Sequence, residues 1–211
     1  MQNLKITAIL DGTGIILDPY APIHLDGLLG YAVLSERGPI ESLAHDEAPD
    51  EIELPLERRE QDGSWHWAAS IFEPEGDGES IQMARRRFDV SRAELLRGTV
   101  RYDVGATKDT WKPWPLRLAS KATAWCVAGD ADRIEALLRK HIRRLGSERA
   151  RGKGSVFRWI IEPVDEDWSC ARDGTAMRYL PAAEAVHIVR PRPPYWHPMG
   201  AVPCLKPGET I

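Results

Sequence analysis

"ATAWCVAGDADRIEALLRKHIRRLGSERARGKGSVFRWII", residues Ala122–Ile161, passes from a strand pattern through a basic amphipathic helix and a glycine-rich loop into another strand. Ile134, Leu137, Leu138, His141, Ile142 and Leu145 recur at offsets of three and four, which predicts one buried helix face. Arg133, Arg139, Lys140, Arg143 and Arg144 occupy the opposite face. Asp132 and Glu135 have capping-box spacing for the helix start, and Gly146 is the residue type that closes a helix in a left-handed cap.

The loop "GSERARGKGS", Gly146–Ser155, carries the chemistry. Gly146, Gly152 and Gly154 let the backbone turn and present N–H groups, while Arg149, Arg151 and Lys153 set cations beside them, a combination suited to phosphate. A Walker loop does not fit: no Gly-Lys-Ser/Thr triplet exists, and the loop follows a helix and precedes a strand. A dinucleotide fingerprint does not fit either, because that turn runs from strand into helix. An arginine-rich helix-to-strand loop points to a nucleic-acid backbone, against the plainer reading of a solvated turn.

The segment "IRRLGSERARGKGSV", Ile142–Val156, set between helix and strand, resembles the carboxy-terminal glycine-rich loop of the RAMP superfamily, the RRM-like proteins of CRISPR RNA complexes. "LKITAIL", Leu4–Leu10, followed by "PIHLDGLLGYAVL", Pro22–Leu34, looks like the first strand and helix of the small RAMP subunit of type IV CRISPR effectors. That subunit belongs to the fifth-numbered Cas family, whose members cap the 5′ end of the guide RNA. The resemblance implies a noncatalytic subunit that holds the 5′ handle of the CRISPR guide RNA. Its expected neighbours are the backbone RAMP and large-subunit-like proteins, with target DNA as a candidate further partner.

Charge is segregated. The chain has 211 residues and a net charge of −4. Between Glu36 and Glu79, including "EAPDEIELPLERREQDG", the only basic residues are Arg37, Arg58 and Arg59. From Arg133 to Arg158 only Glu135 and Glu148 oppose a run of cations, so one face can hold a polyanion although the whole is acidic. Cys126, Cys170 and Cys204 are widely spaced and show no C-x-x-C pattern, which indicates neither a disulfide framework nor a zinc site and suits a reducing compartment. No metal or cofactor is expected. With no charged-then-apolar leader and no apolar run near bilayer length, the expectation is a cytoplasmic protein without membrane contact.

Leu4, Ile6, Ala8 and Leu10 alternate with polar residues as in a strand, and a helix is expected from about His24 to Glu36, with Leu25, Leu28, Leu29, Ala32 and Val33 inward. Gly27 and Gly30 weaken such a helix by roughly 1 kcal/mol each, so close approach of a strand or RNA is expected there. Gly38–Gly63 reads as a surface excursion. Trp65–Phe72 and Ile81–Phe88 read as a hairpin joined by "EPEGDGES", and Val100–Val104 as a further strand. The sum is an α+β fold: one ferredoxin-like (RRM/RAMP) βαββαβ domain over residues 1–211, with an inserted hairpin region at about 38–120 and an extended proline-rich tail at about 181–211 wrapping the surface.

Further clusters mix cations with flat rings. "QMARRRFD" places Arg85 and Arg87 on one strand face and Arg86 on the other; "KDTWKPWPLR" interleaves Lys108, Trp111, Lys112, Trp114 and Arg117; "RPRPPYWHP" offers Arg190, Arg192, Tyr195, Trp196 and His197. The candidate RNA-binding set is Arg144, Gly146, Arg149, Arg151, Gly152, Lys153, Gly154, Trp111, Lys112, Arg85 and Arg87. Two alternatives remain. One is a metal-independent RAMP endoribonuclease that processes repeat RNA, with His24, Tyr20 and Tyr31 as its catalytic group. The other is a ferredoxin-like protein-interaction domain without RNA.

Overall fold

A computed structural model describes residues 1–17, 21–38, 51–76, 78–86, 110–147 and 152–211. In chain order the elements are β1 (Gln2–Leu10), β2 (Ile15–Ile16), α1 (Leu25–Arg37), β3 (Arg58–Gln61), β4 (Ser64–Trp67), β5 (Glu73–Glu75), β6 (Gly78–Arg86), β7 (Thr110–Leu118) and β8 (Lys121–Ala128). They continue with α2 (Ala131–His141), β9 (Val156–Pro163), β10 (Ala171–Arg172), β11 (Thr175–Ala176), β12 (Leu180–Pro181), β13 (His187–Val189) and β14 (Val202–Leu205).

The central sheet is antiparallel in the order β5-β8-β1-β9. Strict alternation in β1 buries Leu4, Ile6, Ala8 and Leu10, and small residues of β8, Ala122, Ala124, Cys126 and Ala128, share their core. Those short side chains let both helices approach. Leu25, Leu29 and Ala32 of α1 and Ile134, Leu137 and Leu138 of α2 join the same cluster, each large aliphatic contributing about 1.5–3 kcal/mol by burial. Segment 56–75 runs along the outer edge of β8 in pieces, through the Leu56–Ala128 and Ala69–Cys126 bridges and then β5.

Several local expectations need correction. Helix α2 starts at the Asp130 cap, whose side chain accepts from the Arg133 N–H at 2.9 Å, rather than at a box built on Asp132 and Glu135. It also stops at His141 instead of running to Gly146. The reason is tertiary: residues 143–145 pair with 154–156 (Val156 N–H to Arg143 C=O, 2.9 Å; Leu145 N–H to Gly154 C=O, 2.8 Å), which requires extended backbone. Ile142 and Leu145 still enter the core, while His141 is largely covered but lies outside that cluster, 3.4 Å from Glu36.

The expected Trp65–Phe72/Ile81–Phe88 hairpin does not form. Trp65 and Trp67 pair with β3 across Asp62-Gly63, both at positive φ, while β6 pairs with β7 from Gly78–Leu118 to Arg86–Thr110. Strand β7 keeps Pro113 and Pro115 because the Pro115 carbonyl accepts from Leu17 N–H, on the side of β2. Residues two apart face the same way, so both missing N–H groups lie on that side and the ladder to β6 loses nothing. Within Gly38–Gly63, Leu54 and Leu56 are buried core rather than surface excursion. The tail departs from a surface wrap: β12-β14-β13 form a small sheet, and Tyr195 and Pro193 pack on α1 at Gly27 and Gly30. A Cβ added at Gly27 would stand 3.5 Å from the Tyr195 ring, and one at Gly30 3.7 Å from Pro193 and 3.9 Å from Ile52, so the chain's own tail is what approaches the two helix glycines. The expected strand at Val100–Val104 lies outside the described residues.

Candidate nucleic-acid interface

The glycine hinge is stitched to the β1–β2 turn. Gly146, Gly152 and Gly154 all have left-handed φ, at 84°, 79° and 66°. A Cβ on Gly146 would stand 2.5 Å from the Ile16 carbonyl oxygen, and one on Gly154 2.0 Å from that of Leu145, so two of the three positions admit only glycine. Ser147 N–H donates to Ile16 C=O (2.9 Å) and Gly154 N–H to Gly14 C=O (2.9 Å). These two donors therefore hold the hinge to its own protein instead of facing a ligand. Lys153 Nζ donates to Thr13 C=O at 3.0 Å, and Thr13 Oγ1 reaches Asp11 at 2.7 Å, which lowers the Asp11 pKa. Arg149 and Arg151 lie outside the described residues.

The cationic face of α2 is largely engaged. Arg133, Lys140 (3.4 Å) and His141 (3.4 Å) converge on Glu36 at the end of α1, and the Arg133 bond above all holds the Glu36 carboxyl down to about 2. Arg139 pairs with Glu135 one turn back at 2.6 Å. Arg143 and Arg144 are exposed in the strand-like stretch leading into the hinge.

The β6–β7 ladder holds the aromatic candidates. Opposite residues share a face, so Arg85 meets Trp111, Met83 meets Pro113 and Ile81 meets Pro115. That face is open to solvent: Trp111 is 60% exposed, with Ile81 and Met83 exposed beside it and the Arg85 guanidinium 5.0 Å from the Trp111 ring centre. Lys112 belongs to β7, and Arg87 lies outside the described residues.

A scan against protein families matches residues 2–207 to "CRISPR type IV associated protein Csf3". The chain belongs to the Csf3 family. Among curated proteins no match is found. The family covers both amino-terminal and hinge segments that resemble a type IV CRISPR subunit, and this Csf3-family chain is accordingly a type IV CRISPR-associated subunit. Among its described residues no helix is long and apolar enough to cross a membrane, and no group of His, Cys, Asp and Glu is placed to hold a metal.

In this Csf3-family chain His24 caps α1 from inside. It is 6% exposed, stacked on Tyr195 at 3.8 Å and on Tyr179 at 5.3 Å, and neither ring nitrogen has a hydrogen-bond partner. Burial and the nearby Arg178 charge push its pKa well below the ordinary value. Tyr31 is exposed further along α1, away from that stack, and Tyr20 lies outside the described residues. Sequence reasoning passed over Arg178, which is fully buried and donates to the carbonyls of Trp67, Ala69, Tyr179 and Pro191 and to Asp26. Tyr195 completes the cluster by donating its O–H to Asp26 at 2.7 Å. A single arginine inside the apolar stretch Ala176–Leu180 was the available signal. The cluster ties β4, α1 and the tail together, a structural role.

Proposed function

We propose that this chain is a noncatalytic guide-RNA-binding subunit of a type IV CRISPR effector complex, holding the 5′ handle of the guide on a ferredoxin-like, RAMP-type sheet. The fold part of this reading is supported by the β5-β8-β1-β9 order, all antiparallel, with α1 leaving β1 and α2 joining β8 to β9. Its RNA part is carried by one observation: a hinge with three left-handed glycines, braced by the β1–β2 turn, leaves a helix lined with arginines. Such a braced turn supports a phosphate grip by Arg144 and Lys153 together with Arg149 and Arg151 of the same loop, and phosphate contacts set register. Trp111 with Arg85 supplies an exposed ring on which a turned-out base stacks. The subunit works in the cytoplasm beside the backbone and large-subunit-like proteins, with target DNA as a further partner. The absence of catalysis agrees with His24, whose ring is enclosed between tyrosines.

Anisotropy with repeat-derived RNA tests this. Affinity falls with salt at a log-log slope of about −0.7 per phosphate neutralised, and Arg149→Ala with Arg151→Ala and Lys153→Ala weakens binding about tenfold or more. A salt-independent response, or unchanged affinity in the triple variant, rejects the hinge as the RNA grip. Repeat RNA incubated with the protein without metal stays intact; a His24→Ala-sensitive product would instead identify a processing nuclease.

A further inference from the structure

Two arginines, Arg58 and Arg192, sit against the Trp65 ring and a third, Arg190, lines the same cleft, and among the described residues none of the three is ion-paired with a carboxylate. Arg58 on β3 lies 3.9 Å from the Trp65 ring centre, and Arg192 of the tail 4.3 Å from the same centre. Arg190, only 4% exposed, sits with Arg192 around Gly200, where a Cβ would be 3.9 Å from Arg190 Nη1 and 3.7 Å from Arg192 Nη2. Their satisfied bonds are few: Arg190 Nη1 donates to Met199 C=O (2.8 Å) and Arg192 Nη1 to Trp65 C=O (3.2 Å). The Nε–H of each is buried without an acceptor. Among the described residues no carboxylate comes within 4.0 Å of Arg58, Arg190 or Arg192, whereas Arg59, Arg117, Arg133, Arg139, Arg172 and Arg178 all have one.

Unpaired guanidiniums held partly out of water are costly, and a buried donor without an acceptor adds to that cost. Desolvation above all lowers the pKa of Arg190 and Arg192, helped by the Arg192 charge at Arg190 and the Arg58 charge at Arg192, and the Glu51 carboxylate offsets the shift only in part. An incoming anion relieves all of it. We propose that Arg58, Arg190 and Arg192 form a receptor for a single carboxylate presented by a neighbouring protein subunit.

The cleft itself selects that occupant. It is lined by Gly30, Ile52, Leu54, Trp65, Trp67 and Pro193 beside the arginines, and its free space is about 10 Å³, room for about one water-sized atom such as a single carboxylate oxygen and not for a base. With two guanidiniums within 4.3 Å of its centre, Trp65 offers its π surface to cations rather than to a nucleobase. Glu51 borders the cleft, and exposed Glu53 and Glu60 stand nearby in sequence, so an extended polyanion is repelled where one carboxylate flanked by apolar side chains fits. Planar guanidinium forks match carboxylate geometry. This inference is independent of the guide-RNA reading.

The test uses the full chain, ¹⁵N-labelled, and follows the Nε–H signals of Arg190 and Arg192. Acetyl-Leu-Glu-Leu-amide shifts both to lower field with saturation in the millimolar range, and acetyl-Leu-Gln-Leu-amide does not. Arg58→Glu, at an exposed position, weakens the response about tenfold or more without changing the melting temperature. In the reconstituted complex Arg58→Glu with Arg192→Gln reduces co-elution with the protein neighbours, while the isolated chain keeps its affinity for repeat RNA. Saturable shifts with oligouridylate but not with the peptide would make this an RNA site and overturn the proposal. A response to inorganic phosphate alone would mean an adventitious ion only. No response to any probe, with assembly intact in the double variant, would mean that Glu51 neutralises the arginines within the chain.

Discussion

Two basic regions of this subunit differ in what their charges already do. Around α2 and the hinge, Arg133, Lys140 and His141 share Glu36, Arg139 holds Glu135, Lys153 holds Thr13, and two hinge N–H groups bind carbonyls of the β1–β2 turn. At the tail, Arg58 and Arg192 meet Trp65, Arg190 and Arg192 donate to two carbonyls, and among the described residues no carboxylate ion-pairs with any of the three, Glu51 only bordering their cleft. The first region is the more basic in sequence, yet among the described residues the arginine Nε–H groups buried without an acceptor, those of Arg190 and Arg192, lie in the second. Local charge density shows where cations are, and pairing decides which of them are left to bind a partner.

The hinge side of this comparison breaks most sharply at Gly154. Gly154→Ala combines a left-handed residue with a Cβ 2.0 Å from a backbone oxygen, and a loss of about 3 kcal/mol or more is expected in denaturant unfolding. Gly152→Ala meets nothing within 4 Å and should cost only about 1 kcal/mol, the left-handed term alone. Equal losses would mean that the hinge is not braced by its neighbours.

The tail side is sharpened by acid. His24 behind Tyr195 and His66, whose pKa burial lowers to about 3, stay neutral in the fold, while the unfolded chain protonates them below the ordinary value of 6.5. Stability is therefore complete above pH 6.5 and declines as pH falls from there toward 3, by up to about 1.4 kcal/mol per unit for each histidine. His24→Phe keeps the stacked ring without two orphan nitrogens, so its stability at pH 7 should lie within about 1 kcal/mol of the parent and its acid slope should be shallower. An unchanged slope would show that His24 protonates in place.

The smallest effect tests the pairing itself. Glu36→Gln releases Arg133 and Lys140, and RNA affinity at low salt should rise by roughly two- to threefold. Because the Glu36 pKa is depressed, its support is present above about 4.5 and is lost as pH falls toward 2, so parent and variant melts should differ at pH 6 and converge near pH 2. Weaker RNA binding in the variant would show that the pairing holds α2 in its binding position rather than masking it.

Local patterns were legible where one residue's neighbours decide its state. The alternation in β1, the three-and-four spacing in α1 and in α2 as far as His141, and the glycines before β9 all mark elements where they occur. The candidate site was legible only as composition: Gly146, Gly152 and Gly154 do turn the chain, but the direction of the Ser147 and Gly154 N–H groups depended on a turn far away in sequence. The misplaced hairpin has the same origin. Segment 65–75 carries the strand formers Trp65, Trp67, Ile71 and Phe72, and nothing local says that the segment pairs with β3 and β8 instead of β6.

By itself, the sequence determined the strand and helix periods, the segregation of charge and the basic hinge, because these depend on residues a few positions apart. Tertiary structure decided where α2 ends, which strands pair, that His24 is enclosed, and that Glu36 quenches one set of cations while another set stays unpaired. Those outcomes turn on contacts such as Arg133 with Glu36, 97 residues apart, and Arg192 with Trp65, 127 apart, and pairing over such distances is settled only when the core brings the partners together.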